Sequence, residues 1–201
     1  MIVNIKSPEK IIDDIKKELI IAVIDRKHGF HTPVFSNIKK HNQAASRVVV
    51  LRKFDPIKMK IIFHTDYRSK KIEEINLCPE TNFLFYEKKI KTQLRITTVS
   101  KIHYKDKLSK NAWEKSKLSS RKCYLTNASP SSLAKTPTDG LPKHLLGIDP
   151  NKDESEKGYN NFSVIDNQIK TIDWLYLSSS GHRRLLITID NIKNDYQWLI
   201  P

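Results

Sequence analysis

Cysteine, glycine and long apolar runs are all scarce in this sequence. Two cysteines, Cys78 and Cys123, are too few and too far apart for a disulfide framework or a zinc knuckle. Reduced thiols in a cytoplasm are therefore expected. Five glycines, no persistent heptad and no internal repeat exclude collagen, coiled coil and solenoid. The longest apolar stretch, Leu19 to Ile24, falls far short of the roughly 20 residues a membrane span needs. No signal-peptide pattern opens the chain, so a cytoplasmic protein without a membrane partner is expected. No glycine-rich dinucleotide loop, Walker lysine loop or nucleophile elbow is present.

What is there suffices for a core. The chain has 201 residues, 38% of them apolar, which sets an expectation of a single domain over 1–201. Lys and Arg number 36 against 22 Asp and Glu, a formal charge of +14 that favours anionic partners. The charge is dispersed in pairs such as Lys16-Lys17, Lys39-Lys40, Lys70-Lys71 and Lys88-Lys89, so the footprint of a basic tail is missing. Nucleic acid would need aromatics interleaved with cations, and Phe83, Phe85 and Tyr86 with Lys88, Lys89 and Lys91 are the candidates. We rank nucleic acid below a small phosphorylated ligand.

Local patterning predicts mostly strands. Ser7 as N-cap and Pro8 at the first helical position open a helix, with Ile11, Ile12, Ile15, Leu19 and Val23 on one face. This N-terminal helix is expected over 8–27, ending before Gly29. Arg47 to Arg52 reads as a β-branched strand, and Asp55-Pro56 as a turn into a return strand over Met59 to Phe63. Lys70 to Leu77 reads as a short helix, and Lys107 to Leu118 as another around Trp113. Further strands are expected at 82–86, 92–99, 162–165, 169–177, 183–189 and 196–200, with Cys123 in a strand-like stretch. Residues 126–159 carry Ser, Pro, Lys and Asp with little periodicity and read as a long surface excursion. The sum is a mainly β (α+β) chain: a small antiparallel barrel of six or more strands with a few peripheral helices.

One segment has the makings of a phosphate seat. Phe63-His-Thr-Asp-Tyr-Arg-Ser-Lys-Lys71 leads from a strand into a helix, where free backbone amides and the positive dipole end favour a dianion. Thr65 and Ser69 offer hydroxyls, Lys70 and Lys71 offer charge, and Arg47 offers a forked donor from a neighbouring strand.

This segment, taken with Arg47-Val-Val-Val-Leu-Arg52, Asn82-Phe-Leu-Phe-Tyr86, Thr92-Gln-Leu-Arg-Ile96, Ile172-Asp-Trp-Leu175, His182-Arg-Arg184 and Trp198-Leu-Ile-Pro201, resembles the pyridoxamine 5′-phosphate oxidase family. The Thr-Asp-x-Arg-Ser variant and the His-Arg-Arg triplet look most like its FMN-binding, oxidase-related branch. The resemblance implies a split barrel that dimerises, with FMN in clefts at the dimer interface, and a flavin-dependent oxidoreductase acting on a small molecule. It implies that Arg47 and Lys71 hold the FMN phosphate, with Ser69 and Lys70 beside them. Arg52 and Thr65 would lie along the ribityl chain and ring, Gln93 would bond the flavin, and Trp174 and Arg184 would close the site from the partner. Arg47 and Arg52 are five apart, so an ideal strand points them to opposite faces. Either a bulge or twist brings both round, or one of them touches FMN.

The substrate grip departs from the family pattern. The late Arg-x-His pair reads Ser180-Gly181-His182, and the family's Tyr, Arg and Ser positions fall on Trp113, Lys117 and Arg121. His182, Lys117 and Arg121 are thus the substrate-side candidates, and oxidation of pyridoxamine phosphate itself is not expected. Metal is not expected either: His28 and His31 lack a third ligand, and His182 has no companion at ligand spacing. The rival readings are a split barrel that carries flavin or haem without turnover and, behind it, a nucleic-acid-binding barrel.

Overall fold

The computed structural model describes residues 7–201. Helix α1 (Pro8–Ile24) starts where the cap predicts, the Ser7 hydroxyl accepting from the Lys10 amide, and it buries Ile11, Ile12, Ile15, Leu19 and Ala22. It stops three residues short of the expected end, because Asp25 leaves helical geometry. The sheet strands are β1 (Val34–Ile38), β2 (Ala44–Val48), β3 (Lys53–Asp55), β4 (Lys60–Asp66), β5 (Glu80–Glu87), β6 (Thr92–His103), β7 (Phe162–Tyr176), β8 (Arg183–Thr188) and β9 (Asp195–Leu199). Between them lie α2 (Lys70–Leu77), α3 (Lys107–Glu114), α4 (Leu118–Arg121) and α5 (Lys152–Glu156).

The nine strands form one antiparallel sheet in the order β2-β1-β5-β6-β7-β4-β3, with β8 and β9 branching from β7. Strand β7 is the fork. Its first half pairs with β4 from Phe162 to Gln168, and its second half pairs with β8 from Thr171 to Tyr176. Strand β6 accompanies both halves, and its register shifts between Thr97 and Thr98, opposite the change of partner. The irregularity coincides with the exchange of β4 for β8 along β7, where the sheet forks. The local pattern divides this strand into two, at 162–165 and 169–177, with polar Asp166, Asn167 and Gln168 between them. In the structure Asn167 is fully buried, its amide donating to the Ile61 and Ile165 carbonyls while its own oxygen accepts from Ser100. A polar residue satisfied inside the sheet mimics a break in the pattern.

Registered rows explain the core. Phe35, Phe83, Ile96, Ile172, Ile187 and Tyr196 lie side by side across β1, β5, β6, β7, β8 and β9, and α1 and α2 close over that inner face. Phe63 and Phe85 join Phe35 and Phe83 at ring separations of 4.9–6.1 Å. Phe83 and Phe85 are therefore core and offer no stacking platform to bases. A second cluster of Trp113, Tyr124, Phe162 and Val164 lies on the other face of the β4–β7 wing. Residues of β7 from Phe162 to Asn167 are consequently buried on both faces. Cys123 belongs to a short 3₁₀ turn over Lys122–Tyr124, not to a strand. Residues 126–159 run mainly as irregular backbone, interrupted by α5 and two 3₁₀ turns.

The loop after α1 is fixed by close approach. The Gly29 amide donates to Glu87 Oε2 at 2.6 Å, and a Cβ on Gly29 would fall 2.2 Å from the Tyr86 carbonyl oxygen. Gly29→Ala should force β5 and this loop apart, costing about 2 kcal/mol and lowering the melting temperature by about 4–8 °C. Calorimetry of the two proteins checks this.

Candidate functional site

The segment over Phe63–Lys71 becomes the end of β4, a tight turn and the start of α2. Asp66 organises the turn: its carbonyl accepts from the Ser69 amide at 3.1 Å and from the Ser69 hydroxyl at 2.7 Å. Its carboxylate takes the Arg68 amide and guanidinium at 2.7–3.0 Å, and Arg68 in turn holds the Thr126 carbonyl and hydroxyl. Arg68 thus ties the start of the long excursion to this turn. Ser69 caps α2 without using its hydroxyl on the helix, which leaves that hydroxyl to the site.

Lys71 turns inward from the first turn of α2. Its ammonium donates to Thr65 Oγ1 and Ser69 Oγ, both at 2.9 Å. Burial, and next the positive charge of Arg47, push its pKa below the usual lysine range, against the pull of Asp66 and Glu74. Arg47 enters from β2, opposite Phe35, and its guanidinium stands 5.7 Å from that ring. It donates to Asn37 Oδ1, and to Glu74 Oε2 at 3.3 Å. The Asn37 amide also donates to Glu74 Oε2, at 2.9 Å. Two cations, two hydroxyls and a helix N-terminus converge here, which is a donor set for a phosphate dianion.

Four of the sequence-derived residues, Arg47, Thr65, Ser69 and Lys71, are brought together. Thr65, expected along the ribityl chain and ring, accepts from the Lys71 ammonium. Lys70 points out to solvent beside it. Arg52 lies apart and exposed: the chain leaves the sheet after Val48, and Val49, Leu51 and Arg52 bond individually to Pro33, His31 and Ile62. The alternation argument about Arg47 and Arg52 therefore does not apply, since no strand joins them.

The Arg52 charge instead acts on His64, Tyr124 and Cys123. Burial, and then the Arg52 charge, push the His64 pKa down from 6.5 to about 4. The unfolded chain binds this proton near 6.5 and the folded chain near 4, so between those values the unfolded state holds more protons. Stability from this site is full above the upper value and is lost as pH falls toward the lower one. His64→Gln should remove about 2–3 kcal/mol of the parent's loss between pH 7 and pH 4, read from urea melts at both pH values.

Gln93, Trp174 and Arg184 lie at the other wing. Gln93 and Arg184 share the outer sheet face with Tyr86, Leu175 and Leu199. Arg184 donates to Asp173 through Nε at 3.0 Å and Nη2 at 2.8 Å, and Arg95 bonds the same carboxylate. Trp174 alternates to the inner side, in a cleft of about 460 Å³ with Phe30, Tyr176, Arg183, Trp198 and the face of α1. Trp174 lies eleven positions along β7 from Ser163, the partner of Thr65, about 36 Å of extended strand.

On the substrate side, His182 is exposed in the β7–β8 turn and its Nδ1 accepts from the Ser178 amide. Lys117 is exposed ahead of α4. Arg121 is buried, engaged by Ser155, Glu156 and the Trp113 carbonyl, with its guanidinium 4.7 Å over the Trp113 ring. It is committed to the second core cluster through both terminal nitrogens, away from solvent. Among the described residues no group of three or more His, Cys, Asp or Glu is placed to hold a metal, and no helix is long and apolar enough to cross a membrane. The sequence reading missed Asn37, Glu74 and Asp173. The available signal was Glu74, a carboxylate one turn after Lys71 on the face of α2 that also carries Ile75.

Residues 13–104 match the family described as pyridoxamine 5′-phosphate oxidase, FMN-binding domain. No curated protein matches the chain by sequence. Among solved structures, a pyridoxamine 5′-phosphate oxidase-related, FMN-binding protein from Nostoc punctiforme PCC 73102 is similar, at TM-score 0.74 and 16% identity, covering 98% of this chain and 100% of that one. PhzG from Burkholderia lata 383, solved with tetrahydrophenazine-1-carboxylic acid, is similar at TM-score 0.69 and 17% identity, with 99% of each chain covered. At these identities the two structures show the split-barrel fold. Residues 13–104 thus match the FMN-binding domain of the pyridoxamine 5′-phosphate oxidase family, which bears out the resemblance carried by the motifs and supports FMN as the cofactor.

Proposed function

We propose that this chain is a single-domain, FMN-dependent oxidoreductase that works as a homodimer on a small-molecule substrate. The observation that carries the reading is the seat at the start of α2, where Lys71 and Arg47 converge with two hydroxyls. In this reading Arg47 and Lys71 neutralise the FMN phosphate, Thr65 donates its hydroxyl once Lys71 turns to the dianion, and Ser69 lies beside them. Lys70 adds screening charge beside them, and Arg52 keeps the ribityl and ring role that the family resemblance implies. When bound, FMN supplies the two-electron redox chemistry; the protein supplies orientation, charge and exclusion of water.

The outer sheet face supports the dimer. Val34, Leu84, Tyr86, Leu175, Leu186 and Leu199 share it, and Val48 beside them is 63% exposed. These apolar side chains lie among Gln93, Arg95, Asp173 and Arg184 on the same face, a mixed surface of the kind a homodimer buries, and a two-fold pairing would bring one chain's Gln93, Arg184 and Trp174 wing to the other chain's seat. That resolves the separation of the two groups within one protomer. His182 and Lys117 remain as substrate-side residues, and Arg121 is dropped because it is buried and paired with Glu156. Free Cys78 and Cys123 fit a cytoplasmic setting.

The test is the visible absorption spectrum of the purified protein, with chromatography of what the denatured protein releases. Flavin absorption and released FMN are expected. A colourless protein that takes up no added FMN overturns the reading, and a Soret band would replace flavin by haem.

A further inference from the structure

The phosphate seat contains a carboxylate of its own. Glu74 is buried, one turn after Lys71 on α2, and its Oε2 accepts from Arg47 Nη2 at 3.3 Å and from the Asn37 amide at 2.9 Å. The other nearby acid, Asp66, is already neutralised by the forked contact with Arg68. The seat therefore holds two cations, Arg47 and Lys71, against one carboxylate that is not otherwise paired with a cation among the contacts described here.

A site built for tight retention of a dianion gains from every unopposed cation, and a buried like charge works against it. From this geometry we infer that Glu74 is a resident counter-anion: it occupies Arg47 in the empty seat, and FMN binds by taking its place on the guanidinium. Asn37 is the hinge of the exchange, because its oxygen accepts from Arg47 while its amide donates to Glu74. The consequence is a deliberately weakened, exchangeable hold on the flavin. Glu74 sets affinity for the phosphate and leaves affinity for the ring untouched. This rests on the reading of the seat as the FMN phosphate site.

Glu74→Gln keeps the shape and an acceptor for Arg47 but removes the charge. Titration of flavin fluorescence with FMN and with riboflavin, on the full chain, tests the inference. Glu74→Gln should tighten FMN by about tenfold or more and slow its release to match, with riboflavin affinity unchanged. Asn37→Asp adds a carboxylate at the same place and should weaken FMN by about tenfold, again sparing riboflavin. Lys71→Ala is the control that must weaken FMN. If it does so while Glu74→Gln binds FMN no better than the parent, the inference is overturned and Glu74 merely orients Arg47. If Asn37→Asp tightens FMN, the inference is likewise overturned. If the parent holds FMN no better than riboflavin and Lys71→Ala changes nothing, the seat itself is misassigned and the inference goes with it. Circular dichroism of each variant establishes that a loss is not unfolding, and the two variants of opposite expected sign keep the test open should one fail to fold.

Discussion

Arg47→Glu is expected to weaken FMN binding by about a thousandfold and Lys71→Ala by about a hundredfold, while riboflavin binding stays within about threefold of the parent. The magnitudes follow from the chemistry of the seat. A charge-assisted hydrogen bond to a phosphate contributes about 1.5–3 kcal/mol, and about 1.4 kcal/mol is a factor of ten in affinity. Lys71 brings one ammonium, already held by two hydroxyls at 2.9 Å and partly desolvated, so its loss removes a preorganised contact. Reversal at Arg47 removes a forked donor and places a second carboxylate beside Glu74, which adds repulsion to the loss. Riboflavin lacks the phosphate, and so it reports whether the rest of the site survives. Lys71→Ala should also cost little stability, since the folded protein already holds that ammonium under a desolvation penalty. Equal losses for FMN and riboflavin would instead mean that both residues support the fold of the site and not its phosphate contact.

The seat was legible because its parts are local. Thr65, Ser69 and Lys71 lie within one strand-turn-helix, where the side-chain types, the cap and the helix start all sit in a few residues. Helix α2 has the bounds that its pattern predicts, Lys70 to Leu77, and the Ser7-Pro8 start of α1 is equally direct. Arg47 came from a motif and its guanidinium lies against Asn37 and Glu74, although its strand ends one residue later. The chain beyond Val48 was misread as strand because Val49, Val50 and Leu51 are β-branched or apolar. Burial, not pairing, is what two of those side chains satisfy: Val49 and Leu51 are core residues on irregular backbone.

The residues that were not legible act across the chain. Asn37 is brought to Glu74 over 37 positions, and Asp173 to Arg95 over 78. No local period carries such a pairing. Arg121 shows the reverse failure. Its alignment with a substrate-binding position suggested a phosphate contact, but an arginine beside a buried tryptophan can equally be absorbed by the core through cation–π contact and internal carbonyls. The sequence does not distinguish those fates, because both need the same side chain. Burial does, and here Arg121 is 5% exposed.

Trp113→Ala should cost about 3–5 kcal/mol, the largest single-residue loss of stability we expect in this chain. The indole is 2% exposed and lies at the centre of the second cluster, with Tyr124, Tyr159 and Phe162 at ring separations of 5.1–5.9 Å. Its Nε1 donates to Glu156 at 3.0 Å, and its face carries the Arg121 guanidinium. Removal leaves a cavity the rigid β4–β7 wing cannot close, and it strips Arg121 of the ring that covers a charge paired with Glu156. The damage should remain on this face, since the aromatic core under α1 and the Lys71 seat lie across the sheet. We therefore expect a urea midpoint shifted to lower concentration together with early proteolytic cutting within 107–161. Below the transition, FMN affinity should stay within about threefold of the parent, because no residue of the seat loses a hydrogen-bond partner. A variant that kept parental stability would mean that the excursion packs without its tryptophan anchor. One that lost FMN before unfolding would mean that Arg68, through Thr126, couples the excursion to the seat more tightly than its hydrogen bonds suggest.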